Sequence, residues 1–183
     1  MMGEQADVAH RAQDLREAFD NGFARVPEPV GHDIGKFLAI RVGGDPYAVA
    51  LTEITGIFAD RKVVWLPGET VGLLGVAGLR GDIVAVYSLA VFLGYSAGED
   101  APRWLMRTGG DLIAAFAFDG FDGYVQLPGA QVSSLRDNAQ NGHVRATAML
   151  AGGPRPVISI ASIVKRISAR IDTAGAIQRG TDA

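Results

Sequence analysis

Arg80 is the side chain in this sequence with the plainest chemical potential. It stands in Arg80–Gly81–Asp82, between two apolar runs. A planar guanidinium at such a turn can meet a partner's carboxylate or backbone oxygens. It can equally brace its own turn by bonding nearby carbonyls. Other candidate chemistry is thin. Glycines at 72, 75, 78 and 81 do not spell G-x-G-x-x-G, and no Gly-Lys-Ser/Thr follows, so a phosphate cradle is unsupported. Glycines so placed mark bulges or tight barrel corners. His10, His32 and His143 lack metal-ligand spacing and are expected at the surface. Asp119 and Asp122 stand beside Gly120 and Gly123, where turn chemistry accounts for them without an acid–base pair. The tripeptide Arg-Gly-Asp also occurs in cell adhesion, but short tripeptides recur by chance and nothing here points to secretion.

Bulk composition narrows the classes further. The chain has 183 residues, enough for one compact domain or two small fused ones. Its net charge of −3 is too mild to argue for an electrostatic partner, and a nucleic-acid binder would usually show a basic face. With no cysteine, disulfides, thiolate metal sites and cysteine nucleophiles are excluded. No signal-peptide pattern opens the sequence, and its longest near-apolar run, 83–95, is shorter than the ~20 residues of a membrane-spanning helix. A cytoplasmic protein without direct membrane insertion is expected.

The elements that would position Arg80 are short and β-rich. Two apolar runs split by Arg80–Gly81–Asp82 predict a hairpin, since Gly81 can take the positive φ of a tight turn. Strands are expected at 37–42 and 47–51 around a Gly-Gly-Asp-Pro turn, at 56–60 and 63–66, and at 83–87 before a helical turn at 89–93. After a polar connector, further strands are expected near 104–106, 111–118, 124–127, 131–135, 144–150 and 155–160. Apolar residues at 160, 163, 164, 167 and 171 predict a terminal helix, with a loose tail at 172–183. Before all this, Val8, Ala12, Leu15 and Phe19 sit at helical spacing, so 1–33 reads as an amphipathic helix and linker. That helix either packs on the main domain or docks in a partner's groove. Trp65 and Trp104 are either packing residues or interface anchors.

The sequence also repeats itself weakly. VAVYSLAVFL at 84–93 aligns with RPVISIASIV at 155–164, matching Val86 to Val157, Ser88 to Ser159 and Ala90 to Ala161. IRVGGDPYAV at 40–49 resembles FAFDGFDGYV at 116–125. The two matches keep the same order and nearly the same offset, which implies a duplicated unit of ~70 residues. Each unit suits a small closed β-barrel, because closure removes exposed sheet edges.

On these residues the chain resembles the CheW family of bacterial chemotaxis coupling proteins, over roughly 37–167. FLAIRVGGDPYAVALTEI is similar to the family's first hairpin. LLGVAGLRGDIVAVYSLAVFLG resembles its most recognisable block, and GYVQLPGAQVSSL sits where the family has a valine-rich strand. The resemblance implies a mainly β fold of two fused SH3-like five-stranded barrels, with an N-terminal and a C-terminal helix. The expected organisation is an extension at 1–33, a first barrel at about 34–95, a second at about 103–171, and the tail.

The resemblance also implies a function without catalytic residues or cofactors: an adaptor that joins the cytoplasmic tip of a methyl-accepting chemoreceptor to the regulatory domain of the CheA-type histidine kinase. Ile54, Ile57, Val76 and Leu79 map onto strands lining the family's receptor groove, or else they are plain core. Arg80 and Gly81 form the turn expected at a protein interface. Three positions depart from the family pattern: Gly78 replaces an asparagine, Ser88 an aspartate, and Gly56 a glutamate able to pair with the turn arginine. Arg80 therefore needs another partner or sits in solvent. Two other functions follow from the same residues. The receptor groove could be lost, leaving a kinase-only scaffold or competitor. A small ligand could bind the seam between barrels, which would call for a polar pocket with converging carboxylates.

Overall fold

The computed structural model describes residues 34–67, 70–96, 101–110, 112–134 and 142–180, with side chains as far as 171. The expected N-terminal helix lies outside the described residues. The unit Ile34–Ala183 is compact. Its order is β1 (Ile34–Val42), β2 (Asp45–Ala50), β3 (Ile54–Ala59), β4 (Val63–Trp65), β5 (Leu73–Leu79), β6 (Asp82–Ser88), α1 (Leu89–Phe92), β7 (Trp104–Thr108), β8 (Ala114–Phe118), β9 (Gly120–Pro128), β10 (Val132–Ser134), β11 (Val144–Leu150), β12 (Gly153–Ile158) and α2 (Ile160–Gly180).

The strands form two six-stranded sheets, ordered β10-β11-β12-β2-β1-β9 and β3-β7-β8-β6-β5-β4. Each is an SH3-like half, so the mainly β reading holds. Each half counts six strands rather than five. In one, the two short pieces around Arg61–Lys62 both join the sheet, at opposite edges.

The two orders are the same order. Reading β1 as β7, β2 as β8, and β9 to β12 as β3 to β6 turns one sheet into the other. The duplication inferred from the sequence is therefore structural. β6 pairs in parallel with β8, and β12 in parallel with β2. Ser88 and Ser159 head matching helices: Val91 N–H donates to Ser88 Oγ at 3.4 Å, and Ser162 N–H to Ser159 Oγ at 3.3 Å.

The expected split into consecutive barrels, 34–95 and 103–171, does not follow the strand pairing. Each half takes two strands from one repeat and four from the other. The cause is local. Only Asp119 separates β8 from β9, and a single residue cannot reverse the chain into a neighbouring antiparallel strand. The chain crosses to the other sheet instead, where β9 pairs with β1. The expected turn at 119–123 is thus mostly strand, bulged opposite Ala39 and Ile40. The terminal helix runs past Ile171 to Gly180, where a loose tail was expected. No proline interrupts this stretch, and its alanines favour helix.

Among the described residues, three apolar cores hold the unit together. One lies inside each half, around Leu79 and Val86 in one and Ala48 and Val157 in the other. The third contains Ile40, Met106, Phe116 and Ile163, and so draws on both sheets and α2. Strand β8 explains how. Its alanines Ala115 and Ala117 fill the narrow interior of one half, while Phe116 and Phe118 enter the shared core. Both faces are buried, which is why AAFAF shows no polar alternation.

Candidate protein-binding surface

The β5–β6 hairpin turns on two residues, Arg80 and Gly81, with Leu79 opposite Asp82. Both turn residues have positive φ, 55° and 90°. This is the conformation whose twist suits a two-residue hairpin loop. Glycine takes it without strain, but an arginine there is uncommon. Arg80 is exposed. Among the described residues its guanidinium makes no ion pair and no hydrogen bond to its own turn, so the local-brace reading is not what forms. Its carbon Cζ lies 5.7 Å from the centre of the Phe58 ring, within cation–π reach.

Around it, the mouth of this half is rich in arginine. Arg61 also stands over Phe58, at 6.0 Å. Arg107 Nη2 donates to Asp82 Oδ2 at 2.7 Å, while its Nε is buried without a partner. Gly56 pairs in register with Arg107. A Cβ on Gly56 would lie 3.2 Å from the nearest guanidinium nitrogen of Arg80. The arginine therefore hangs over the place where Gly56 lacks a side chain.

The four apolar residues expected to floor one groove are not brought together. Leu79 is 1% exposed inside its own half. Its strand period makes it apolar-facing, but that face looks into the barrel. Ile54 and Ile57 are half-buried against the shared core. Val76 lies across the sheet from them, opposite Val64 and Ala85.

A groove does exist beside Ile54. It has a volume of about 860 Å³ and runs between residues 52–55, Gly109, Gly110 and Leu112, and the first turns of α2. Ile54, Leu112, Ile160 and Val164 supply apolar surface, and Lys165 stands on the helix side. Glu53 fixes its two walls together. Oε2 accepts the Ile160 N–H at 2.5 Å and the Ala161 N–H at 3.2 Å, and Oε1 pairs with Arg145 at 2.6 Å. Of the described residues lining this groove Glu53 is the only carboxylate, and it is engaged. Among the described residues, the converging carboxylates that a ligand-binding seam calls for are not assembled there.

Other polar residues also take structural posts. Asp122 bridges Arg155 at 2.8 Å and Arg41 at 3.1 Å. Burial acts against its ionised form, but the hydrogen bonds from Arg155 and Arg41 prevail and lower its pKa below the usual carboxylate value. Asp119 accepts the Gly43 N–H at 2.5 Å. Tyr95 donates to Asp45 at 2.6 Å and meets the Tyr47 hydroxyl at 2.8 Å, which raises its pKa strongly. His143 is buried, against the expectation of a surface position. Its Nδ1 meets Ser162 Oγ at 2.6 Å, its ring packs edge-on with Phe92, and its Nε2 has no partner. Burial, followed by the nearby Arg166 charge, lowers its pKa. Trp104 is a packing residue, stacked on Phe118. Trp65 is half exposed on the edge strand β4.

Comparison with known proteins places this geometry. The family model for the CheW-like domain matches residues 36–168. No curated protein sequence matches the chain. Among solved structures, the chain is similar to the scaffolding protein CheW from Thermoanaerobacter tengcongensis. The two share 14% identity with a TM-score of 0.61, over 69% of this chain and 90% of that one. No helix among the described residues is long and apolar enough to cross a membrane.

Proposed function

The chain belongs to the CheW-like domain family, and from that premise we propose that it is a non-enzymatic adaptor of a bacterial chemosensory array. It works in the cytoplasm and joins a chemoreceptor's cytoplasmic tip to the regulatory domain of a CheA-type histidine kinase. The kinase domain docks at the mouth of the half that carries Arg80 and Gly81. The receptor tip lays a helix in the groove beside α2, where Ile54, Ile160 and Val164 receive its apolar face.

One observation carries this reading. Arg80 keeps a left-handed backbone, which costs on the order of 1 kcal/mol in a residue other than glycine. It returns little to the fold beyond an exposed contact with Phe58. A strained, exposed arginine with no hydrogen bond or ion pair among the described residues is free to serve an interface. The experiment is a pair of titrations of the full chain, one against a receptor signalling tip and one against the kinase regulatory domain. Binding to both is expected, and binding to neither overturns the proposal.

A second reading draws on Leu79. Its burial leaves the expected four-residue receptor floor unassembled, which favours a kinase-only scaffold. Receptor binding in the first titration would remove this version.

A further inference from the structure

We infer that the notch over Gly56 seats an acidic side chain supplied by a protein partner, held between the guanidiniums of Arg80 and Arg107. The inference rests on the adaptor reading and says what the Arg80 surface recognises.

Charge is out of balance at this mouth. Arg61 and Arg80 stand over Phe58 there and Arg107 reaches Asp82, so three arginines face one carboxylate. Asp82 is taken by Arg107. Arg61 and Arg80 have no carboxylate partner among the described residues and lean on the Phe58 ring instead. Arg107 is under-used as well: its side chain is 14% exposed, and its Nε is buried with no acceptor. A buried donor left unsatisfied is costly, so a rearrangement that brings it an acceptor is favoured.

Shape points to the same spot. Gly56 lies in register with Arg107 and directly beneath Arg80. A side chain on Gly56 would start 3.2 Å from the Arg80 guanidinium and on the strand position paired with Arg107, and glycine supplies none. Every carboxylate among the described side chains is already engaged, so we take the acid from a partner. A protein partner fits better than a polyanion, because the chain as a whole is negative at −3. It also fits better than a free small anion. Arg80 is solvent-exposed, where an isolated ion pair gains little, whereas an acid carried on a docked surface arrives with the rest of an interface.

Gly56→Glu and Gly56→Gln test this. Both fill the notch equally, and Arg80 can swing aside for either, so their difference isolates the charge. Expected first is that Gly56→Glu melts above Gly56→Gln at low ionic strength, with the gap closing as salt is added. Expected second is that Gly56→Glu binds the partner of the Arg80 surface about tenfold or more weakly than the unsubstituted chain, because the notch is already occupied, while Gly56→Gln loses much less. The kinase regulatory domain and the receptor tip are measured separately. If Gly56→Glu melts no higher than Gly56→Gln, the arginines lack no acid and the inference fails. If Gly56→Glu binds both partners as well as the unsubstituted chain does, the inference fails while the adaptor reading stands. If the unsubstituted chain binds neither partner, the adaptor reading fails, and the melting comparison alone decides the notch.

Discussion

Glu53 caps a helix that begins at Ile160, far along the chain, with its Oε2 set 2.5 Å from the Ile160 N–H. The residue sits on the short link by which the chain passes from β2 in one sheet to β3 in the other. Its second oxygen holds Arg145 on β11. One carboxylate thus ties the crossover, the terminal helix and a strand of the opposite repeat. Glu53→Ala should lower stability by about 2–3 kcal/mol, from the lost cap and the unpaired Arg145 together. Glu53→Gln keeps an acceptor for the helix and should lose about 1 kcal/mol. Urea denaturation of both variants measures this. Equal losses would show that Arg145, and not the helix end, is what Glu53 serves.

Gly75 admits the edge strand. A Cβ there would lie 2.0 Å from the Val64 carbonyl oxygen, and its φ is +155°. The clash is with backbone, so no side chain can swing away. Gly75→Ala should cost about 3 kcal/mol and detach β4 from β5, read as faster amide exchange at Val63 and Trp65. Gly78 is the control: nothing lies within 4 Å of a Cβ there. Gly78→Ala should stay within about 0.5 kcal/mol of the unsubstituted chain. Matching losses at the two positions would refute the close-approach argument.

Much of this architecture was legible in the residues, and the limits have physical causes. Gly81 announced its hairpin because the apolar runs on either side can only pair through a tight turn. Ser88 and Ser159 disclosed the duplication because both close a strand and open a helix. Which strands become neighbours was not legible. Alternation decides the face a residue presents, and it is silent about the strand beside it. The exchange between repeats turns on a one-residue link at Asp119 that reads as part of an ordinary turn. Leu79 shows the same limit: its period marks an apolar face without saying whether that face looks into a barrel or a groove. The ties of Glu53 to Arg145 and of Asp122 to Arg41 and Arg155 join distant positions and leave no local pattern. His143 follows a polar, glycine-containing stretch that predicts exposure, and Phe92 buries it.

Acid should weaken the fold in two separable steps. His143 has a lowered folded pKa, so the unfolded chain takes up its proton first. Stability is unaffected well above the ordinary value of 6.5 and declines as pH falls from there towards the folded pKa. Asp122 also has a lowered folded pKa, so its contribution is complete above the ordinary value of 3.8 and is lost as pH falls below it. His143→Gln should flatten the first decline and leave the second, and Asp122→Asn should do the reverse. Denaturant midpoints followed from pH 8 to about 3 would reveal both. A single decline unaffected by either substitution would refute the assignment.

Arg80 offers the sharpest separation of folding from binding. Its backbone φ of +55° is one that glycine adopts freely. Arg80→Gly relieves on the order of 1 kcal/mol of strain, though glycine's greater freedom in the unfolded chain offsets part of that gain. It also removes an exposed cation–π contact worth about 0.5–1 kcal/mol. These nearly cancel, so the variant should melt close to the unsubstituted chain. The two roles then part. If Arg80 serves a partner, Arg80→Gly loses binding with the fold intact, and Arg80→Lys recovers little, because an ammonium lacks the planar donors. A variant that binds normally would mean that the turn tolerates its strain for no partner's benefit, and the Arg80 surface would then have to be given up as the interface.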